Sequence, residues 1–155
     1  MVFYYTYEKK TEVFASALGE FLGQPVYKLE SDLNDKAAFV FLFHAIRLAL
    51  TKGSYPVANM PAEKPVGSVF VCCPIWGGGI AAPARYFLEN ADLVGVKVNI
   101  LLTASMATEK YRKNAQDFLN GINCVPGEVY LFAASDKILP EKDVLLEQFG
   151  EMIPK

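Results

Sequence analysis

The chain has 155 residues, 52% of them hydrophobic and 21% charged, with a mean hydropathy of +0.20. This suits a single ordered domain spanning residues 1–155, with a core large enough to need no disulfide or metal. Its 15 basic and 17 acidic side chains leave a formal charge of −2, and no Lys/Arg cluster runs along any stretch, which argues against nucleic acid as a partner.

Of the three cysteines, Cys72 and Cys73 are adjacent. Neighbours on a strand point to opposite faces, so they cannot share a metal or form an ordinary disulfide, and they read as buried small apolar residues. With no Cys-x-x-Cys pair and no second histidine beside His44, a structural metal is not expected. The cysteine usage points to a reducing compartment, the cytoplasm. The N-terminus lacks the basic leader of a signal peptide. The longest apolar stretch, residues 37–50, falls short of the ~20 residues that span a bilayer and is interrupted by His44 and Arg47. It predicts a buried helix and no membrane anchor.

In chain order, residues 2–6 predict a short strand. Thr11 can cap a helix running to about Leu22, with Phe14, Ala17, Leu18 and Phe21 at helical spacing and Gly23 closing it. Residues 25–29 form a weak second strand, 30–35 a polar connection and 36–52 a strongly apolar helix ended by Gly53. The segment 54–65 has three prolines and no periodicity, so it reads as a surface connection.

Residues 69–73, Val-Phe-Val-Cys-Cys, are an unbroken apolar run of the kind that suits a strand covered on both faces. Pro74 ends hydrogen-bond donation, and Gly77, Gly78 and Gly79 then form a loop that also carries Trp76, the only tryptophan. A helix follows over about 83–91, a strand over 97–103 and a helix over 108–119 with Tyr111, Ala115, Phe118 and Leu119 as its apolar stripe. The Pro126-Gly127 turn introduces a last strand at 129–133, and a helix covers 143–153.

Five strands alternating with helices predict an α/β fold: a three-layer, doubly wound, five-stranded parallel sheet in the order 2-1-3-4-5. In that arrangement the ligand crevice opens where the strand order reverses, between the first and third strands. The loops after Thr6 and Cys73 should therefore meet. The first of them, Thr6-Tyr7-Glu8-Lys9-Lys10-Thr11, leads into a helix N-terminus, where unpaired N–H groups and a partial positive charge favour a phosphate. The plainer reading is that Thr11 is only a cap and the two lysines are solvated.

These loops together resemble the flavodoxin-like family. That family follows its first strand with a hydroxyl-rich phosphate loop, commonly Ser/Thr-x-Thr-Gly-Asn-Thr, and residues 6–11 have the same length and keep both end hydroxyls. The segment Cys73-Pro74-Ile75-Trp76-Gly77, then Pro83-Ala84-Arg85-Tyr86-Phe87-Leu88, then Asp92-Leu93-Val94-Gly95-Val96-Lys97-Val98, then Thr103-Ala104-Ser105 looks like the family's third strand through its fourth-strand loop. The Phe-rich helix with Phe39, Phe41 and Phe43 also fits.

The resemblance implies FMN as cofactor and a flavoprotein of electron transport or a small flavin-dependent oxidoreductase, working with a redox partner protein. Thr6, Tyr7, Lys9, Lys10 and Thr11 would hold the phosphate. Pro74, Ile75, Trp76, Gly77 and Gly78 would flank the ring, with Trp76 the stacking candidate, and Thr103, Ala104 and Ser105 would supply backbone groups to its polar edge. Glu8, Lys9 and Lys10 depart from the family's Thr-Gly-Asn. The alternative is a domain of this fold that has lost flavin and acts as a binding or regulatory module through the apolar surface near residues 39–43; a homodimer is a further partner to consider.

No catalytic residue is assigned. A hydrolase on the same fold ranks last, because Ser105 lacks an evident base. His44 has no Ser or Cys beside it as a nucleophile and reads as a buried or interface histidine. Arg85 is expected to pair with an acid rather than a ligand, and Glu141, Asp143, Glu147 and Glu151 to form a solvated helix face.

Overall fold

A computed structural model describes residues 1–135, 137 and 139–154. Its sheet has the order β2-β1-β3-β5-β6, all parallel, with β4 paired antiparallel to β3 off that path. The strands are β1 (Val2–Tyr4), β2 (Val26–Lys28), β3 (Ser68–Trp76), β4 (Gly79–Ile80), β5 (Lys97–Ala104) and β6 (Val125–Ala133). The helices are α1 (Lys10–Leu22), α2 (Ala38–Thr51), α3 (Ala82–Asn90), α4 (Glu109–Gly121) and α5 (Lys142–Met152). Without the two-residue β4 this is the expected doubly wound order, the flavodoxin-like α/β fold.

Two apolar cores flank the sheet, and the alternation along β3 assigns its side chains to them. Val69, Val71 and Cys73 join the core covered by α3 and α4, through Ala84, Phe87, Leu88, Ala115 and Leu119. Phe70 and Cys72 join the core built by Phe14, Ala17 and Leu18 of α1 with Leu145 and Phe149 of α5. The two adjacent cysteines thus lie on opposite faces, each with a free thiol. Burial holds both thiols protonated, Cys73 up to about 12.

Several local expectations are corrected. The residue before α1 is Lys9 in the left-handed region, φ 63°, and no side chain caps the helix; Thr11 lies within its first turn. At the other end Gly23, φ 61°, closes the helix as expected, with the Gln24 N–H donating to the Gly19 carbonyl. In α2 the left-handed closing residue is Lys52, φ 52°, not Gly53, and Gly53 N–H then donates to the Leu48 carbonyl.

The strand expected to stop at Cys73 runs on to Trp76. Pro74 pairs in register with Thr103 on β5, and by alternation its missing N–H faces the side on which β1 has already ended at Tyr4. Gly77 and Gly78, φ 56° and 85°, make a two-residue turn, the backbone that a tight antiparallel hairpin requires. Ile75 then pairs with Ile80 and Trp76 with Gly79. The expected glycine loop is a two-residue turn in a hairpin.

The Pro126-Gly127 pair lies inside β6, not ahead of it, at a register irregularity between Val98 and Ile100. Asn99 seals that bulge: its Oδ1 accepts the Glu128 N–H at 3.1 Å and its Nδ2 donates to Ser68 Oγ at 3.0 Å. A Cβ on Gly127 would lie 2.4 Å from Asn99 Oδ1, so only glycine fits.

The largest correction concerns α2, which is not a buried helix. Only Phe41 is buried, while Phe39 is 80% exposed and Leu50 81%. The helix packs against α3 and the end of β3 along one edge. Among the described residues no helix is long and apolar enough to cross a membrane. The four acids expected on a solvated face of α5 are exposed.

Candidate functional site

The loops at the carboxyl ends of β1, β3, β5 and β6 converge on one groove of about 580 Å³, a volume in the range of small-molecule sites. Thr6, Tyr7, Glu8, Lys10 and Thr11 form one end, Pro74, Ile75 and Trp76 a wall, and Thr103, Ala104 and Ser105 the floor opposite, with Ala134 and Ser135 beyond. Ile75, Ala104 and Ser105 continue into an adjoining cavity of about 380 Å³, walled by Gly77, Gly78, Met106 and Tyr111. Twelve of the thirteen expected site residues therefore line this joined space.

Lys9 is the exception. It lines a separate groove with Glu12, Ser16, Glu20 and Lys142 on the outer side of α1. Its contribution at the first loop is its backbone: it occupies the position at which the motif Ser/Thr-x-Thr-Gly-Asn-Thr has glycine, and at φ 63° it adopts the left-handed conformation that glycine takes most readily. The chain thus makes the glycine-type bend with a residue that pays in strain for it.

Glu8, the acid where the motif has threonine, is paired. Lys10 Nζ lies 2.6 Å from Glu8 Oε2. Of the described residues that line this end of the groove, Glu8 and Lys10 carry the charges and pair with each other, while the first turn of α1 directs N–H groups and a partial positive charge at it. The Thr11 hydroxyl is buried and lies 2.8 Å from that of Thr103, which is buried too. Two hydroxyls in mutual contact share one hydrogen bond, which leaves one further O–H to donate elsewhere.

Residues that the sequence reasoning missed set the shape of the groove. Asn34, from the 3-10 turn at Asp32–Asp35, donates to the Thr6 carbonyl at 2.9 Å and accepts from the Tyr5 hydroxyl at 2.7 Å. This braces the first loop from outside. Phe41 stacks on Tyr7 with centroids 3.6 Å apart and planes at 7°, and meets Trp76 edge-on at 5.4 Å. Tyr5 also meets Trp76 edge-on, at 5.6 Å. Trp76 is thereby held by two aromatic neighbours rather than standing free. Nothing in the sequence marks Phe41 as the buried residue of α2, which is apolar nearly all round, and nothing marks Asn34.

Glycine is needed twice in the hairpin. A Cβ on Gly77 would lie 2.5 Å from the Ala49 Cβ of α2, and Gly78, whose Cβ would meet only Tyr111 and Asn114 at 3.6 Å or more, is held by a hydrogen bond from Asn114 Nδ2 to its carbonyl, 2.7 Å. The hairpin is clamped between two helices.

Arg85 pairs with no acid among the described residues, contrary to expectation. Its Nη1 donates to the Lys52 carbonyl at 3.0 Å and its guanidinium lies 4.8 Å from the Phe118 ring centroid. Burial pulls its pKa down, countered by Glu89. His44 is half-buried with its ring against Phe43 and Tyr55. No group of three or more metal-ligating side chains occurs among the described residues.

The fold and the position of the groove define the flavodoxin-like class of α/β protein. No protein-family model and no curated protein matches the chain. Solved structures do. A protein assigned as a flavoprotein from Bacteroides uniformis aligns with TM-score 0.76 and 17% identity over 97% of this chain and 96% of its own. One from Bacteroides eggerthii, likewise assigned, aligns with TM-score 0.73 and 16% identity over 99% and 97%. A flavoprotein from Lactobacillus acidophilus in complex with FMN aligns with TM-score 0.63 and 16% identity over 84% and 90%. At these identities the likeness is one of fold.

Proposed function

We propose that the chain is an FMN-binding redox protein of flavodoxin-like fold, an electron carrier or a small flavin-dependent reductase, with the cofactor held in the groove between the first loop and the β3 hairpin. The observation that carries this reading is the left-handed Lys9, which keeps the bend of a phosphate loop although glycine is absent from it. The likeness to a flavoprotein solved with FMN supports it.

The residues fit the group. Thr6, Thr11 and the first-turn N–H groups of α1 would receive the phosphate, and Glu8 does not oppose it because Lys10 neutralises the carboxylate. Pro74, Ile75, Gly77 and Gly78 would flank one side of the ring and Ala104 and Ser105 the other, with Tyr111 at the outer edge. FMN would supply the electron transfer. The protein would orient the ring, and its backbone dipoles would set the charge around it. The reading in which the altered first loop has lost its anion site is not favoured, since the departures from the motif are accommodated: Lys9 keeps the bend and Lys10 pairs with the acid at Glu8.

The test is a titration of the purified protein with FMN, followed by flavin emission and absorbance. Quenched emission and a shifted spectrum at micromolar protein are expected; unchanged spectra would exclude the proposal. Riboflavin, which lacks the phosphate, is expected to bind at least tenfold more weakly, a loss of at least ~1.4 kcal/mol.

A further inference from the structure

Between the end of α2, the start of α3 and the middle of α4 lies a second cavity of about 310 Å³, room for about ten non-hydrogen atoms at the ~30 Å³ that a water takes in the liquid. The β3–β4 hairpin stands between it and the groove described above, so that Trp76, Gly77 and Gly78 line both. Leu48, Ala49, Ile80 and Phe118 make its walls apolar, and Arg85 is set among them.

Arg85 is a half-buried cation without a paired anion. Among the described residues no carboxylate lies within ion-pair distance of it: Glu89, whose charge acts on it, stands off, and Asp117 at the rim of the cavity does not reach it. Nη1 donates to the Lys52 carbonyl at 3.0 Å, and Nε is buried with no hydrogen-bond partner. Nη2 is turned toward Gly79, where a Cβ would lie 3.4 Å from it. Gly79 does not have a positive φ, so its backbone makes no call for glycine; the missing side chain instead leaves Nη2 uncovered. A guanidinium held in such surroundings with most of its five N–H groups unused is costly to keep, and its planar fork matches a carboxylate.

Charge and lining narrow the ligand further. Arg85 and Lys52 line the cavity as cations and Asp117 as an anion, which leaves one net positive charge. That balance matches a monoanion better than a phosphate dianion. The apolar walls call for an apolar body behind the charge. We propose that this cavity binds a small monocarboxylate with an apolar body, its carboxylate on Arg85 and its body against Leu48, Ile80 and Phe118. The claim is independent of flavin binding, because the site lies across the hairpin from the groove and is tested without added FMN.

Isothermal titration calorimetry of the full chain with cyclohexanecarboxylate, a ligand of about nine non-hydrogen atoms, is expected to give a Kd of about 1 mM or tighter. Acetate, which lacks the body, is expected to bind at least ~tenfold more weakly. Trp76, the only tryptophan, lines the cavity, so its emission is expected to change over the same titration. Arg85→Met removes the cation. Gly79→Val keeps it and sets a branched side chain, which suits a strand, in front of Nη2. Each is expected to weaken binding at least ~tenfold with an unchanged circular dichroism spectrum. Saturation with FMN is expected to leave the binding in place. No saturable binding by about 10 mM ligand, inorganic phosphate bound as tightly, affinity retained in Gly79→Val, or mutual exclusion with FMN would overturn the proposal.

Discussion

The hydroxyls of Thr11 and Thr103 meet at 2.8 Å in a buried contact that joins the first turn of α1 to the end of β5. It is the one side-chain hydrogen bond linking the two loop systems that bracket the groove among the described residues. Thr103→Val leaves the Thr11 hydroxyl buried without that partner and is expected to cost about 1–3 kcal/mol of stability. The double variant Thr11→Val/Thr103→Val is expected to cost less than the two singles added together, since no polar group is then stranded. Urea unfolding of the three variants checks both statements.

Gly77 and Gly78 both have positive φ, yet they differ in their surroundings. Gly78→Ala meets only ordinary contacts and is expected to lose about 1–2 kcal/mol to backbone strain. Gly77→Ala adds a clash with the Ala49 Cβ at 2.5 Å and is expected to lose a further ~1–3 kcal/mol. The larger effect at Gly77 is measurable by urea unfolding, and equal losses would show that α2 yields.

Lys9→Gly relieves a left-handed lysine and is expected to leave stability unchanged or raise it by up to about 1 kcal/mol, the relief of strain being offset in part by the greater freedom of glycine in the unfolded chain. FMN affinity is expected to be retained, because the Lys9 side chain is directed away from the groove.

Lys10→Ala has the opposite character. It removes a cation and releases the Glu8 carboxylate toward the phosphate end, so FMN affinity is expected to fall about five- to tenfold at low ionic strength and by less in high salt. Glu8→Gln is expected to raise it several-fold. Fluorescence titration at two salt concentrations reads both.

Cys73 stays protonated in the folded protein up to about 12, against an ordinary value of 9.0, because it is fully buried. The unfolded chain loses that proton first. The contribution of the buried thiol to stability is therefore complete below pH 9 and is lost as pH rises from 9 toward 12. Unfolding free energy is expected to fall over this window, and neither Cys72 nor Cys73 is expected to react with a thiol reagent until the protein unfolds.

The strands and their order were legible because burial on both faces writes itself as apolar runs, and the ends of those runs located the groove. Three things were not. The Thr6–Thr11 motif could not reveal that Lys9 would take up a glycine-type bend, nor that Asn34, 28 residues from Thr6, would hold the Thr6 carbonyl. Pro74 reads as a strand end, yet the strand continues because its neighbour β1 is so short. The apolar composition of α2 cannot distinguish a helix covered by its own chain from one that leaves its apolar side outward; on residue types alone the two are the same.

The hairpin that closes the groove is an outgrowth of the central strand, wedged against Ala49 on one side and Asn114 on the other. A ligand bound beside it would meet a surface braced from both sides, so little conformational freedom of the hairpin would have to be surrendered.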